Sequence, residues 1–416
     1  MSQPPGIVLI SGNSLCHNPR VLKEADALHA AGFSVRVLGA WLDPRLADRD
    51  RELMASRAWQ FQAVLDFTAC GASADLCRQR ARVRAKLGRL AGRWLRWETP
   101  WQLGYATAEL LAAARSAGAD LCIAHSEQAL WVAERLRRAG RRVGVDMEDW
   151  FSEDLPPAAR RTRPVRLLKR LERALLCKGH HRTSTSEAMT QALVAEYGCP
   201  PPLVIYNAFP WSDRDLLDQL RKDRGTSTTP SIHWFSQTLG PGRGLEELLQ
   251  ALPLMRLPVE VHLRGGSGSA PRGWLDDLLP PAVRSRVFTH PLVSNGELLS
   301  RIAEHDIGYA GEVRNCRNRD ITVTNKILQY LLGGLPVAAS DTLGQREIAR
   351  HAPGAVTLFS AGNPHLLAEC LDRMACPAAL AEARAAALAA ARRDYHWEKC
   401  AATLVASVRQ ALALPA

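Results

Sequence analysis

Several stretches of the chain set reactive side chains beside small or glycine-rich turns. Asp146-Met147-Glu148-Asp149 follows the apolar run 142–146. Carboxylates are seldom fully buried without partners. A cluster here is therefore an acid/base or hydroxyl-binding group, or a cap for the next helix. His125 follows the run 120–124 and has the same two readings. Gln237-Thr238-Leu239-Gly240-Pro241-Gly242-Arg243-Gly244 leads into a helical pattern. Three glycines and an arginine at a strand-to-helix junction suit a diphosphate, since backbone N–H groups and a guanidinium converge on its oxygens. The spacing is G-x-G-x-G, not the G-x-G-x-x-G of nicotinamide-binding turns, which disfavours an oxidoreductase. A second glycine loop is read in Arg264-Gly265-Gly266-Ser267-Gly268. Ser11-Gly12-Asn13-Ser14 either admits an anion to a helix start or forms a tight turn. The polar stretch 312–324 precedes a helix opened by Asn325, where Lys326 and Gln329 share one face near its positive end. Asp213 and Asp215 read as a helix start and not as a metal site.

The elements that must position these residues alternate. Residues 6–10 form an apolar strand, 19–31 a helix opened by Pro19, and 34–39 the next strand. The pattern recurs as helix 105–118, strand 120–124, helix 127–139 and strand 142–146, with a strand near 203–206. After the polar stretch 213–230, read as the interdomain region, it restarts. Strands 231–236, 259–263, 306–309 and 335–339 alternate with helices 244–254, 295–303 and 325–333. Helices at 377–392 and 397–413 close the chain. Such alternation predicts an α/β protein of two doubly wound parallel sheets. In such sheets ligands gather at the carboxyl ends of strands, where all the loops above lie.

The chain has 416 residues and a formal net charge of +11, and its length fits two domains of roughly 100–200 residues each. Residues 1–200 carry 30 basic and 21 acidic side chains, a balance of +9; the remaining 23 and 21 leave +2. An acidic partner is therefore expected at the first half. Two basic stretches stand out. Residues 78–97, opened by Arg78 and closed by Trp97, hold eight basic residues and no acid up to Arg96. Residues 160–182, bounded by Arg160 and Arg182, hold nine and one acid, Glu172. Both are helical, and they read either as solvated faces or as a docking surface for anionic lipid headgroups. No nucleic-acid motif or aromatic stacking run appears, so nucleic acid is not an expected partner. The ten cysteines include no C-x-x-C pair, and no basic leader precedes the first strand. Reduced thiols in a cytoplasm are expected. No apolar stretch approaches the roughly 20 residues that span a bilayer.

The runs NPRVLKEADALHAAGFSVRVL, HWFSQTLGPGRGLEELLQAL and HDIGYAGE, and above all TVTNKILQYLLGGLPVAASDTLGQREI, resemble family-4 retaining glycosyltransferases. The resemblance covers nearly the whole chain, less surely at 45–100. It implies the GT-B architecture, two Rossmann-like domains facing across a cleft, here 1–210 and 211–393. The YHWEK segment resembles the point where a last helix, 394–416, returns to the first domain. The resemblance implies a nucleotide-diphosphate sugar held mainly by the second domain and a saccharide or lipid-linked acceptor held mainly by the first. The implied role is polysaccharide or glycolipid assembly, in the cytoplasm or peripherally on the inner membrane face. No cofactor or metal is implied, because cationic groups and helix N-termini can stabilise a departing nucleotide. Taken with the strand-end loops, the expected donor-side residues are Gly12, Gln237, Arg243, Gly244, Gly266, Asp320, Thr324, Asn325, Lys326 and Gln329. Glu148, Asp149 and His125, the last two read from their strand-end positions, are the expected catalytic set. The chain also departs from the family. Its usual Arg and Lys of the glycine loop read Gln237 and Arg243. Of two glutamates eight apart, the second falls on Gln329 and the first on Ile321, with Asp320 beside it and Glu312 upstream. A histidine usual after strand 142–146 is Glu148. A nucleotide-sugar 2-epimerase of the same fold and a nucleic-acid-binding protein are the competing readings.

Overall fold

A computed structural model describes residues 4–266 and 273–414. Ser267 and Gly268 of the second glycine loop lie outside the described residues. The chain divides into two compact units. One takes the residues up to Thr185, Met189–Ile205 and those from Ala401 onward; the other takes Ser186–Ala188 and Tyr206–Cys400.

The first unit holds a seven-stranded sheet built from β1 (Gly6–Ile10), β2 (Ser34–Trp41), β3 (Gln60–Asp66), β4 (Leu121–Ala124), β5 (Val143–Met147), β6 (His181–Ser184) and β7 (Leu203–Val204). The order is β3-β2-β1-β4-β5-β6-β7 and every pairing is parallel. β4 and β5 are buried along their whole length. Helices cover a parallel sheet on both faces, so its central strands carry continuous apolar runs and not alternating ones. The helix Pro19–Ala30 starts at Asn18, whose side chain accepts from Val21 N–H at 3.1 Å, with Pro19 in its first turn. It ends before Gly32, whose φ of +91° is left-handed. Its buried stripe contains two charged residues, Arg20 and Glu24, besides Val21, Ala25 and Leu28. At the other end of the chain the helix Trp397–Ala411 begins in the second unit; within the first, Ser407 Oγ lies 3.0 Å from His181 Nδ1.

The second unit holds a six-stranded parallel sheet: β8 (Ser231–Thr238), β9 (Glu260–Gly266), β10 (Val287–His290), β11 (Ile307–Ala310), β12 (Val337–Ser340) and β13 (Val356–Phe359), in the order β10-β9-β8-β11-β12-β13. Its core gathers Trp234, Leu248, Val261, Leu263, Tyr309 and Leu371. Two expectations need correction here. The stretch 213–230 belongs to the second unit and is no linker. Arg224 pairs with Asp306 at 2.7 Å, Arg301 with Asp218 at 2.6 Å, and Ser227 with Glu260 at 2.7 Å. Arg264, Gly265 and Gly266 are strand residues, not loop residues, because β9 follows β8 to the pairing Thr238↔Gly266. Arg264 is buried, pairs with Asp223 and donates to the Pro291 carbonyl at 2.5 Å, so it holds β9 in place and is closed to a ligand. A Cβ at Gly265 would meet the Ser236 carbonyl at 3.0 Å, which is why a small residue is needed there.

Candidate active site

In the first unit, β4 delivers His125 and β5 delivers Asp146 and Glu148 to the same strand ends. Arg20 and Glu24, one helical turn apart, reach the same point from the helix Pro19–Ala30. Arg20 Nε pairs with Asp146, and its Nη2 donates to Asp146 Oδ1 at 2.9 Å. Thr183 Oγ1 donates to that same oxygen at 2.6 Å, and Arg20 Nη1 donates to the Ile205 carbonyl at 2.8 Å. His125 Nδ1 lies 3.3 Å from Asp146 and 3.0 Å from Glu148, while Nε2 lies 3.4 Å from Glu24. The side chains of Arg20, Glu24, His125 and Asp146 are all shut off from solvent.

Burial alone would discharge these groups, but their mutual attraction prevails for three of them. Desolvation lowers the affinity of His125 for its proton, yet Glu24, Asp146 and Glu148 raise its pKa to about 10. Asp146 is also desolvated, but Arg20 and His125 hold it well below the carboxylate range. Glu24 goes the other way, raised chiefly by burial and by the Asp146 charge. The network thus fixes a protonated imidazole beneath Glu148.

Glu148 Oε1 accepts from His125 and, at 3.0 Å, from Asn18 Nδ2. Its other oxygen makes no hydrogen bond among the described residues, and the side chain is about one-fifth exposed, at 21%. One oxygen is anchored and one is free to meet a hydroxyl or a developing positive charge. Asp149 is half-buried next to it. His125 is buried and is no surface group; its ring holds Glu148 Oε1 in place. Arg20, Glu24 and Asn18 were missed in the sequence. The signal was there for two of them, since charges 20 and 24 fall on the helix face shared with Val21, Ala25 and Leu28.

Gly12 does not offer its N–H to an anion. Ser11 and Gly12 N–H both go to the Leu38 carbonyl, at 3.0 and 3.2 Å, and the N–H groups of Leu15 and Cys16 go to Asp50 at 2.8 and 2.7 Å. Gly12 has φ +74°, and a Cβ there would lie 3.1 Å from Ser126 Oγ, so the turn is the correct reading.

In the second unit a cavity of about 570 Å³ opens at the carboxyl ends of β8, β11, β12 and β13. Each strand contributes to it: Gly242 and Gly244 after β8, Glu312 and Arg314 after β11, Asp341 after β12, and Gly362 after β13. Gly244 has φ +79°, and a Cβ on it would sit 2.7 Å from the Gly311 carbonyl, so only glycine lets the two loops touch. Tyr309 Oη, donating to the Gly244 carbonyl at 2.8 Å, pins the loop. Arg243, between these glycines, is half-buried and donates to Ser236 Oγ at 2.8 Å; no carboxylate pairs with it among the described residues. Gln237 is exposed at the end of β8, and Gly266 lies opposite Thr238.

Glu312 is buried, with Lys326 Nζ at 2.6 Å and Arg319 Nη1 at 3.4 Å. Lys326 also stands 5.9 Å over the Trp234 ring. Asp320 has other partners, Arg314 at 3.1 Å and the Leu343 N–H at 3.3 Å. Glu312, not Asp320, therefore lines the cavity and is the better match for the acid that the sequence left open. Thr324 caps the helix Asn325–Gly333 by position only; its buried Oγ1 has no hydrogen-bond partner among the described residues. Asn325 Oδ1 accepts from Asn207 at 3.0 Å, and Gln329 is almost buried. Of the expected donor residues Gly244 lines the cavity, and Lys326 reaches it through Glu312. Arg314 and Asp341 were missed, although Asp341 directly follows β12 and Arg314 lies in the loop after β11.

Two groups have carboxylate and imidazole atoms within 4.8 Å of one another, a spacing that could hold a cation: Glu24, His125 and Asp146, and Asp223, Glu304 and His305. Arg20 already meets the charge of the first, and Arg264 and Arg301 that of the second.

Residues 17–208 match the glycosyl transferase 4-like domain family. No curated protein matches the chain in a sequence search. Among solved structures, sucrose-phosphate synthase of Thermosynechococcus elongatus superposes with a TM-score of 0.69 at 15% identity, over 98% of this chain and 99% of that one. Anabaena HepE in complex with UDP-glucose gives 0.67 at 17% identity, over 97% and 99%. A structure described as a UDP-N-acetylglucosamine 2-epimerase, from Listeria monocytogenes, gives 0.57 at 13%, over 100% and 99%. The two parallel sheets and the superpositions agree on the GT-B fold for the chain, and its residues 17–208 match the glycosyl transferase 4-like domain family.

Proposed function

We propose that the protein transfers a sugar, with retention of anomeric configuration, from a nucleoside diphosphate sugar to a hydroxyl of a saccharide or lipid-linked acceptor. The observation that carries this is the 570 Å³ cavity at four strand ends, edged by Gly242 and Gly244, with Arg243 between them held by Ser236 and by no carboxylate among the described residues. Its carboxylates, Glu312 and Asp341, suit hydroxyl groups of the donor. Arg243 and Arg314 suit the charge that grows on the departing diphosphate, with no metal needed for that task. Glycosyl transfer passes through an oxocarbenium-like state, and the free oxygen of Glu148 is the carboxylate that would steady it. The UDP-glucose bound by HepE makes UDP the first nucleotide to test.

The reaction belongs to polysaccharide or glycolipid assembly, performed from the cytoplasm at an anionic inner membrane face. The support is the pair of basic stretches, 78–97 and 160–182. Among the described residues no single helix is long and apolar enough to cross a membrane, so contact would be peripheral.

Glu148→Gln tests the catalytic assignment. The variant keeps shape and removes charge. We expect kcat to fall by at least about tenfold, equivalent to about 1.4 kcal/mol, with UDP affinity nearly intact. If Glu148 were only a structural partner of His125 and Asn18, the melting temperature would drop and kcat would hold. Both are measured on one preparation.

A further inference from the structure

The helix Ala72–Leu95 lies the wrong way round for a helix of a water-soluble domain. Its buried positions are Ala81, Ala85 and Gly88. A Cβ on Gly88 would come within 2.8 Å of Trp101 Cβ, so small residues let the helix lie close against the segment Pro100–Gln102. Its large apolar residues point outward. Leu76, Val83, Leu87, Leu90 and Trp94 are all exposed, Trp94 by 73%. They recur at i, i+7, i+11, i+14 and i+18, close to whole multiples of the 3.6-residue turn, and so form one stripe. Leu95 and Trp97 extend it, at 70% and 66% exposed. An exposed apolar stripe of this kind marks an interaction surface, and its basic flanks are those of a helix lying in a lipid interface.

Beside the stripe is a groove of about 830 Å³. Lys86, Arg89, Arg93 and Arg96 form one wall, and Arg161, Arg163 and Arg166 the other. The two basic stretches, distant in sequence, thus meet around one space. Its one acid, Glu98, is engaged elsewhere: it accepts from the Leu167 N–H at 2.6 Å and from Arg166 at 3.4 Å, capping the helix Val165–Lys178. Lys86, Arg89, Arg93, Arg96 and Arg161 have no carboxylate partner among the described residues. So many unmatched cations around a concave space suit a multiply charged anion that accepts several hydrogen bonds at once. Arg163 pairs with Glu127, two residues after His125, so the groove adjoins the loop that positions Glu148.

We propose that this groove binds the phosphate or diphosphate of a lipid-linked acceptor, whose hydrocarbon tail lies in the bilayer beside the Val83–Trp94 stripe. The inference rests on the transferase reading and names its acceptor class: a sugar carried on a membrane lipid through a phosphate ester. The groove supplies the anion contacts, the stripe supplies insertion, and the Arg163–Glu127 side holds the acceptor's sugar towards Glu148.

The test is co-sedimentation of the full chain with phosphatidylcholine vesicles containing a long-chain prenyl diphosphate, the corresponding prenol, or charge-matched phosphatidylglycerol. We expect at least about tenfold tighter binding to the diphosphate vesicles than to the phosphatidylglycerol ones, the factor expected of one charge-assisted contact or more. Arg89→Gln with Arg93→Gln should abolish that preference. Trp94→Ser should weaken binding to every vesicle and leave the preference in place. Inorganic pyrophosphate should displace the wild-type chain from diphosphate vesicles only, a check that needs no variant. Equal binding to phosphatidylglycerol, or a preference that survives the arginine changes, would overturn the groove assignment and leave diffuse charge attraction. Calorimetric UDP binding on the same preparation separates the two ideas. If the lipid preference fails while UDP binds, the groove alone is wrong. If the preference holds while no nucleotide binds, the donor reading is wrong.

Discussion

Asp146→Ala is expected to lower the unfolding free energy by about 3–5 kcal/mol, the cost of removing one partner from a buried ion pair. Asp146 is completely buried and takes hydrogen bonds from Arg20 and Thr183, with His125 beside it. Its loss leaves the Arg20 guanidinium and the His125 imidazolium in the interior with Glu24 beside both and Glu148 beside His125, and burial opposes the ionisation of Glu24. Asp146→Asn should lie between wild type and Ala, because it keeps the shape and two acceptor lone pairs. Urea unfolding of the three proteins measures the difference; a loss below about 1 kcal/mol, typical of surface pairs, would mean that the network is solvated. The pH dependence has a definite sign. Asp146 is depressed below its ordinary 3.8, so its contribution is present above that pH and is lost on acidification. His125 is raised from 6.5 to about 10, so its contribution is complete below 6.5 and disappears as pH rises through 10. Glu24, raised by burial, favours the same acidic side. Melting temperature should therefore decline steadily from pH 7 to pH 10.

Arg243→Ala should weaken UDP binding by about 1.5–3 kcal/mol, the range for hydrogen bonds to a charged group. In affinity this is roughly 10–150-fold. Among the described residues the side chain has Ser236 as its hydrogen-bond partner and no carboxylate to neutralise it. Its removal should therefore cost the fold little while depriving the diphosphate of its cation. Calorimetric titration of wild type and variant at one ionic strength settles the matter. Unchanged affinity removes the Gly242–Gly244 turn from the donor site and points to Arg314, which lines the same cavity.

Much of the architecture was legible because the signals are local. Apolar runs such as 6–10 and 120–124 become central strands, and Asn18 with Pro19 starts a helix where one was expected. The limits were set by contacts between residues far apart in sequence. Arg264 to Gly266 look like a loop because two glycines seldom continue a strand. They remain in β9 because β8 pairs with it as far as Thr238, past a register shift. Gly12 looked like an anion turn, but the Leu38 carbonyl, on the neighbouring strand, takes its N–H. Glu148 was visible as a carboxylate after a strand, whereas its partners Asn18 and His125 lie 130 and 23 residues away. The basic runs were visible as charge, but neither showed that they enclose one groove, or that the helix Ala72–Leu95 turns its leucines and tryptophans outward. That inversion follows from Gly88 against Trp101, a tertiary contact.

The central claim is that a nucleoside diphosphate sugar is cleaved at its anomeric carbon and its sugar passed on. Time-resolved proton NMR of UDP-glucose incubated with the full chain, with and without a glucoside or prenyl-diphosphate-linked sugar as acceptor, reads that carbon directly. We expect UDP to be released and the new anomeric signal, in transfer or in slow hydrolysis, to have the configuration of the donor. Glu148→Gln should slow both. Inversion at the carbon would contradict the retaining mechanism. A signal moving to a 2-epimer while the sugar–phosphate bond stays intact would contradict the transferase assignment itself.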